Sequence, residues 1–187
     1  RASYRPEQTS RGQVNFLTYF IVSIVASVCS TTGALTSSAL AAFAFARLEF
    51  WGKTILFYVI LATMMVPGQV LLIPNFLILS GLGLLDTYAA LIVPWMASVF
   101  TIFLMRQFFM TIPEDLWDAA RIDGASRFRY LWQVVVPLSK PVFITAGIFD
   151  FLNNWNSLLW PLIVTSTPSK RTLMVGLQNL SDDAGTE

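Results

Sequence analysis

Four long intervals of this chain contain no charged residue. They cover residues 12–46, 54–85, 87–105 and 151–169. A helix needs roughly 20 mainly apolar residues to cross the core of a bilayer, and each interval reaches about that length. The pattern therefore predicts an all-α fold, a polytopic membrane helix bundle with four spans. We place the spans at about residues 16–46, 54–80, 87–109 and 142–165.

Composition agrees with a membrane protein and excludes several kinds of site. Of the 187 residues, 12% are charged and 55% are hydrophobic, and the mean hydropathy is +0.63. Cys29 is the only cysteine and there is no histidine, which excludes a disulfide within the chain and a zinc cluster. We expect no metal site. The net charge of +1 gives no indication of nucleic-acid binding.

The basic residues predict the orientation, because Lys and Arg are enriched in cytoplasmic connections. Residues 47–53 and 110–141 include several Lys or Arg, whereas residues 80–87 include none. The first two connections should face the cytoplasm and the third the outside. Four spans then place both chain ends on the outer side. Both ends carry basic residues, which are normally enriched on the cytoplasmic side. We therefore expect residues 1–187 to be a single membrane domain that lacks one span at each end.

Two of the spans carry local packing signals. Small residues recur at four-residue spacing in the first span: Ala26, Ser30, Ala34, Ser38, Ala42 and Ala46. Small residues on one face let helix backbones approach closely in lipid, so this row predicts a packing face. The second span contains Pro67, Gly68 and Pro74. These residues predict either a simple kink or a helix break that lines a cavity.

A charged segment lies between the third and fourth spans. Pro113 suits the first turn of a helix, and Glu114 and Asp115 suit the positive end of the helix dipole. Gly124 can take the left-handed conformation that ends a helix. The pattern predicts a short helix over residues 113–123 followed by a turn. Such a helix is either a docking surface for a cytoplasmic partner or an amphipathic segment on the lipid headgroups.

This segment resembles the coupling loop of carbohydrate ABC importer permeases, the part that docks on the ATPase subunit. Residues 112–125 read IPEDLWDAARIDGA, and residues 134–141 read VVVPLSKP. Asp118 stands where the family usually has Glu, and Val136 where Leu is common. Residues 46–53 resemble the first cytoplasmic loop of that family. Stretches within residues 155–177 resemble the fifth span and outer loop of its MalG-like branch.

The resemblance implies a type I ABC importer permease fold with a cytoplasmic coupling helix in residues 110–141. It implies a multi-pass subunit of the bacterial cytoplasmic membrane that imports a sugar or related polyol and is not itself an enzyme. The residues implied in coupling to the ATPase are Glu114, Asp118, Ala119, Ala120, Asp123 and Gly124.

The same resemblance implies the partners. They are a second homologous permease, two ATPase subunits, an extracytoplasmic solute-binding protein, the sugar and membrane lipid. ATP and Mg²⁺ would bind to the ATPase, and no cofactor to this chain. Residues 52–54 read Gly-Lys-Thr, as at the end of a phosphate-binding loop. That motif also needs Gly at position 47, where this chain has Arg, so we expect no ATP site in this chain.

The fourth span contains a polar cluster. Asn153, Asn154, Trp155 and Asn156 follow Asp150, a carboxylate that costs about 2.5–3.5 kcal/mol to insert at mid-span. Amides can bind the hydroxyl groups of a sugar, and an aromatic ring its C–H face, so the four residues 153–156 are candidates for the substrate path. The alternative is that the amides bond neighbouring helices.

Other functions stay open at this point. Permeases of amino-acid, peptide or phosphate importers carry similar loops. An integral membrane enzyme is disfavoured, because no histidine, metal cluster or nucleophile–base set is present. An ion channel would work without nucleotide.

Overall fold

The computed structural model describes residues 16–184 as helices and short connections, without a β-strand among them. The helices are α1 (Phe16–Arg47), α2 (Lys53–Ala62), α3 (Leu72–Gly81), α4 (Tyr88–Ile92), α5 (Val99–Thr111), α6 (Asp115–Ile122), α7 (Arg127–Tyr130), α8 (Val136–Leu138), α9 (Lys140–Trp155), α10 (Leu159–Val164) and α11 (Leu173–Ala184). A π-helical turn, Leu131–Val135, joins α7 to α8. The predicted all-α bundle is confirmed. The prediction that Arg1, Arg5 and Arg11 lie on the outer side of the membrane concerns residues that the structure does not describe.

α1 is the central helix and packs against both α5 and α9. The predicted row of small residues lies on the buried side of α1: Ala42 belongs to the core cluster shared with α5 and α9, and Ala26 to the cluster shared with α4 and α10. Five of its six members are buried, namely Ala26, Ser30, Ala34, Ser38 and Ala42, and Ala46 is half-buried. The packing face is confirmed. Its physical reason is that short side chains let three helix backbones approach closely.

The third span is broken between α4 and α5. The two halves, Tyr88–Trp95 and Val99–Thr111, meet at 42°, close to Pro94, which has no N–H to donate. Serines of α1 donate to the backbone carbonyls around the break: Ser30 to Ile92 (3.4 Å), Ser37 to Met96 (2.6 Å) and Ser38 to Ser98 (3.3 Å). The neighbouring helix therefore pairs carbonyl groups beside the break, as an apolar environment requires.

The second span is broken more sharply. Its halves, Lys53–Met65 and Gly68–Gly81, are bent by 94°. The break lies at Val66 and Pro67, as the Pro-Gly pair indicated, whereas Pro74 lies inside α3. Pro67 and Gly68 therefore end one helix and start another, rather than bending one continuous helix.

The fourth span differs from the single helix expected over residues 142–165. α9 begins at Lys140 and ends at Trp155, and α10 is a separate helix from Leu159 to Val164. Asn156 and Ser157 lie between them, and Asn and Ser favour helix ends over helix interiors. On the other side, the segment Arg127–Leu138 meets α9 at 81°.

The connections lie at two opposite regions of the bundle. The end of α1 contacts the segment after α5, through Arg47 and Ile112, as expected if both basic connections face one side. The connection at Asp86 instead contacts Ser166 and Thr167, beyond α10. By length and composition, the described residues contain one helix able to cross a membrane alone, or up to four spans if each bent pair counts as one.

Candidate functional site

α6 (Asp115–Ile122) begins two residues later than the helix predicted over residues 113–123, and Pro113 precedes its first turn instead of lying in it. The N–H groups of Trp117 and Asp118 donate to the Glu114 carbonyl at 2.8 and 3.1 Å. Asp115 and Asp118 lie in the first turn, where negative charge interacts favourably with the helix dipole. The charged residues therefore help to stabilise a helix of only eight residues.

α6 ends in a turn that depends on Gly124. The Ala125 N–H donates to the Ala120 carbonyl (2.9 Å), and the Gly124 N–H donates to the Arg121 carbonyl (3.1 Å). Gly124 has φ +75°. These two bonds and this conformation form a Schellman motif. The left-handed turn predicted at Gly124 is confirmed.

One face of α6 is anchored and the other is exposed. Trp117 and Ala120 pack against the core cluster that contains Phe109 and Leu131. The ring of Trp117 lies edge-on to Tyr130, with centroids 5.1 Å apart. Five of the six residues predicted to meet the ATPase are exposed: Glu114, Asp118, Ala119, Asp123 and Gly124. Ala120 is half-buried and turned toward the core, which leaves five on the exposed side.

The sequence reasoning missed two residues of this helix. Ile122 is 86% exposed, and with Leu116 and Ala119 it adds an apolar component to the outer face. Its three-residue spacing from Ala119 was an available signal. Trp117 was overlooked as the anchor, although it is the only aromatic residue in the helix.

Arg47 was also missed as a site residue, because the sequence analysis used it for the orientation of the chain and for the loop at residues 46–53, and not for a contact. It is the last residue of α1. Its guanidinium donates to the carbonyls of Phe109 (2.8 Å) and Ile112, and lies 3.9 Å from the Glu114 carboxylate. Those residues lead directly into α6.

A second feature is a cavity of about 400 Å³ beside the end of α9. Its lining is formed by Trp95, Ala97, Ser98, Asp150, Asn153, Asn154 and Ser157. Asp150 is 7% exposed and accepts a hydrogen bond from the Thr101 hydroxyl at 2.8 Å. Five of these seven residues carry a hydroxyl, amide or carboxylate group, and Trp95 and Ala97 supply apolar surface.

The structure divides the four residues predicted for the substrate path. Asn153 and Asn154 line the cavity, and Asn154 also donates to the Asp150 carbonyl at 2.9 Å. Trp155 packs between aromatic rings, 5.6 Å from Phe20 and 5.7 Å from Phe151 between centroids. Asn156 is the exposed residue at the end of α9. Neither Trp155 nor Asn156 is among the residues that line this cavity.

Asp86 links two connections at the opposite region of the bundle. Its carboxylate accepts from the Thr167 hydroxyl (2.5 Å), from the N–H groups of Thr167 and Ser166 (both 3.0 Å), and from Lys170 (3.4 Å). These partners, the Thr167 hydroxyl foremost, hold the pKa of Asp86 well below its usual range. Asp86 has φ +56°, so this contact is made from a backbone conformation uncommon for residues other than Gly.

Comparison with known proteins agrees with this architecture. Residues 33–186 match the family model described as "binding-protein-dependent transport system inner membrane component". The chain is 38% identical over 163 residues to the sn-glycerol-3-phosphate transport system permease protein UgpE of Yersinia enterocolitica. It is 40% identical over 169 residues to UgpE of Rhizobium meliloti. These alignments cover 87% and 89% of the chain, which spans 58% of the length of each relative.

The chain is also similar to a solved structure. The crystal structure of a bacterial ABC transporter involved in the import of the acidic polysaccharide alginate superposes with a TM-score of 0.82 and 28% sequence identity. The match covers 92% of this chain and 61% of that chain. The fold is that of a type I ABC importer permease. By its sequence and by its fold, this chain belongs to the family of binding-protein-dependent transport system inner membrane components.

Proposed function

We propose that this chain is part of the transmembrane permease subunit of an ATP-driven bacterial importer for a sugar or related polyol. The observation that carries the proposal is α6. It is a short charged helix whose outer face is exposed, while its inner face is fixed to the core through Trp117. A helix held in this way presents a rigid surface to a partner in the aqueous phase.

The outer face of α6 has the chemistry of a docking surface. Leu116, Ala119 and Ile122 supply apolar area, and Asp118 and Asp123 supply charge. Apolar area surrounded by polar groups is the usual composition of a protein interface. The partner we propose is an ATPase subunit, which binds ATP and Mg²⁺. Two such subunits, a second homologous permease and an extracytoplasmic solute-binding protein would complete the importer.

The cavity beside α9 supports a hydroxyl-rich substrate. Asn153 and Ser98 offer both donors and acceptors, and Asp150 offers an acceptor. These groups match the hydroxyls of a sugar or polyol. The relatives named for sn-glycerol-3-phosphate transport make polyol derivatives the first compounds to test.

The test is ATP-dependent uptake by the protein reconstituted in liposomes with its cognate permease, ATPase and binding protein. The compounds are sn-glycerol-3-phosphate, glycerol, maltose, glutamine, a tripeptide and inorganic phosphate. Uptake of one of the first three, dependent on ATP and on the binding protein, is expected. If only glutamine, the tripeptide or phosphate is taken up, the protein belongs to an amino-acid, peptide or phosphate importer instead. Flux without ATP would indicate a channel.

A further inference from the structure

Arg47 connects the central helix to the segment that leads into α6. Its side chain is 12% exposed and donates to the carbonyls of Phe109 and Ile112. Phe109 lies in the last turn of α5, and Ile112 follows its last residue. Carbonyl groups at a helix C-terminus carry partial negative charge. The guanidinium of α1 therefore binds the end of a neighbouring helix.

The same contact fixes the start of α6. Only Pro113 separates Ile112 from Glu114, whose carbonyl accepts the first hydrogen bonds of α6. Pro113 has a restricted φ, so a displacement of Ile112 passes to Glu114 with little loss. Arg47 thus holds the point from which α6 starts.

A second set of contacts connects α6 to α1. Trp117 of α6 packs on Tyr130, at 5.1 Å between centroids. Tyr130 in turn packs on Phe43 of α1, at 6.2 Å. Between this aromatic row and Arg47 lies a cavity of about 160 Å³. The side chains of Phe109 and Ile112 are buried in the core cluster, whereas the space beside the guanidinium is open. On that side, the hydrogen bonds of Arg47 are the contacts that tie residues 109–114 to the end of α1.

We propose that Arg47 is a positioning residue that makes the coupling helix α6 and the central helix α1 move as one body. This inference rests on the proposed function, because it names how displacement of a docked α6 reaches the membrane bundle. α1 contacts α4, α5, α9 and α11, so its motion would carry the rest of the bundle.

The role requires arginine in particular. Both carbonyls accept from one guanidinium nitrogen, Nη2, while the other terminal nitrogen, Nη1, lies 3.9 Å from the Glu114 carboxylate. The planar fork of arginine holds these two nitrogens in place at the same time. Lysine keeps the charge but offers a single nitrogen on a flexible chain. Glutamine keeps a donor without the charge. Lys53 is a matched control, because it is basic and lies in the same connection, and its ion pair among residues 16–184 is with exposed Glu49, at 3.1 Å.

The experiment places spin labels at Trp51, just after α1, and at Asp115, at the start of α6, and measures the distance between them in the assembled complex. Both positions are exposed. With Arg47 present, the distance distribution should be narrow and unchanged when ATP and vanadate trap the complex. In Arg47→Gln the distribution should broaden and respond to trapping, and Arg47→Lys should be intermediate. Lys53→Gln should behave as wild type.

Transport per ATP hydrolysed is the second measurement, made in unlabelled protein. Arg47→Gln should retain the ATPase subunits and hydrolyse ATP, yet lose roughly tenfold or more in substrate transported per ATP, since charge-assisted hydrogen bonds are lost. Arg47→Lys should recover part of this loss. Wild-type distances and transport ratios in Arg47→Gln, or equal losses in Lys53→Gln, would overturn the inference.

The two proposals fail in different ways. A wild-type complex that takes up none of the compounds, or binds no ATPase, contradicts the proposed function. In that case, the distance between the two spin labels, measured without nucleotide, still tests the positioning role of Arg47. A broadened distribution in Arg47→Gln alone would support the positioning role, and an unchanged one would contradict it.

Discussion

Gly124 determines where α6 ends. Its φ of +75° is a conformation that L-residues other than Asn and Asp rarely adopt. Apart from its own residue and chain neighbours, a Cβ added at this position would meet no described heavy atom within 4 Å. Any cost of substitution therefore comes from the backbone conformation and not from a clash.

Two substitutions of Gly124 test whether its backbone conformation matters for transport. Gly124→Val should raise the free energy of the native turn by about 1–2 kcal/mol, because a β-branched residue is strained in the left-handed region. The protein should still enter the membrane, with reduced transport per ATP. Gly124→Asn, which tolerates this conformation, should transport nearly as well as wild type. Equal transport by Val and Asn variants at equal expression would show that the turn does not control coupling.

Gly124 and Arg47 differ in what the sequence could reveal. The turn depends on residues 120–125 alone, so a local pattern was sufficient to predict it. The acceptors of Arg47 lie 62 and 65 residues away. Their position depends on how α1 packs on α5, which no local pattern specifies. The same holds for Ala120, whose inward orientation is set by contacts of α6 with the core.

At the scale of elements, α9 carries residues with different structural roles on different faces. Asn153 lines the cavity, whereas Trp155 packs against Phe20 of α1 and Phe151 of its own helix. Adjacent residues in a helix point about 100° apart, since there are 3.6 residues per turn. The polar cluster is therefore not one site.

Asn153→Leu and Trp155→Ala should thus have different effects. Asn153→Leu should reduce uptake with little change in the melting temperature of the detergent-solubilised protein, since Asn153 is exposed in the cavity. Trp155→Ala should lower stability by about 3–5 kcal/mol at most, the range for loss of a fully buried aromatic side chain. Uptake and thermal unfolding are measured on the same preparations. Normal uptake by Asn153→Leu would show that Asn153 is not part of the substrate path.

Asp86 joins the connection between α3 and α4 to the segment after α10. Its pKa is lowered from the ordinary value of 3.8 by the Thr167 hydroxyl and the N–H groups around it. A carboxyl group with a lowered pKa stabilises the folded state above its ordinary pKa. That contribution is lost as the pH falls through the lowered value.

Acidification should therefore weaken this contact selectively. Relative to Asp86→Asn, the wild-type protein should unfold at a higher temperature at pH 7, and the difference should shrink below about pH 3.8. Asn tolerates the positive φ of this position, so the comparison isolates the charge. Melting curves of both proteins between pH 7 and pH 3 measure the effect. A difference that is independent of pH would exclude the carboxylate as its source.

The sequence predicted the extent of the apolar elements better than their breaks. α1 was placed within one residue of its observed end, because its interval lacks Pro and ends at a charge. The break at Pro67 had a visible cause. The separation of α9 from α10 had a weaker cause: Asn156 and Ser157 favour helix ends, but they are also compatible with a helix in lipid when neighbouring groups pair with them.

At the scale of the whole molecule, the bundle has two distinct ends. Arg47, residues 109–114 and Tyr130 meet at one end. Asp86 and residues 164–170 meet at the other. The distribution of basic residues predicts that the first end is cytoplasmic.

Cysteine labelling tests this orientation in a Cys29→Ser background. Cysteines at Trp51, which is 99% exposed, and at Arg129 should react with a membrane-impermeant thiol reagent only from the cytoplasmic side. One at Ser169 should react only from the outside. The reagent is applied to intact cells and to inverted vesicles. Outside labelling at Arg129 would place α6 where no ATPase can reach it.

Ser37 and Ser38 of α1 donate to the backbone of the broken third span. These bonds limit how α1 can slide along α4 and α5. A one-residue shift along α1 is 1.5 Å of translation with about 100° of rotation. Such a shift would withdraw Ser37 from Met96 and Ser38 from Ser98, so two hydrogen bonds beside the break would be lost. Piston-like translation of α1 past α4 and α5 is therefore disfavoured. Tilting of the three helices as a group breaks none of these bonds, and it is the motion that this arrangement permits.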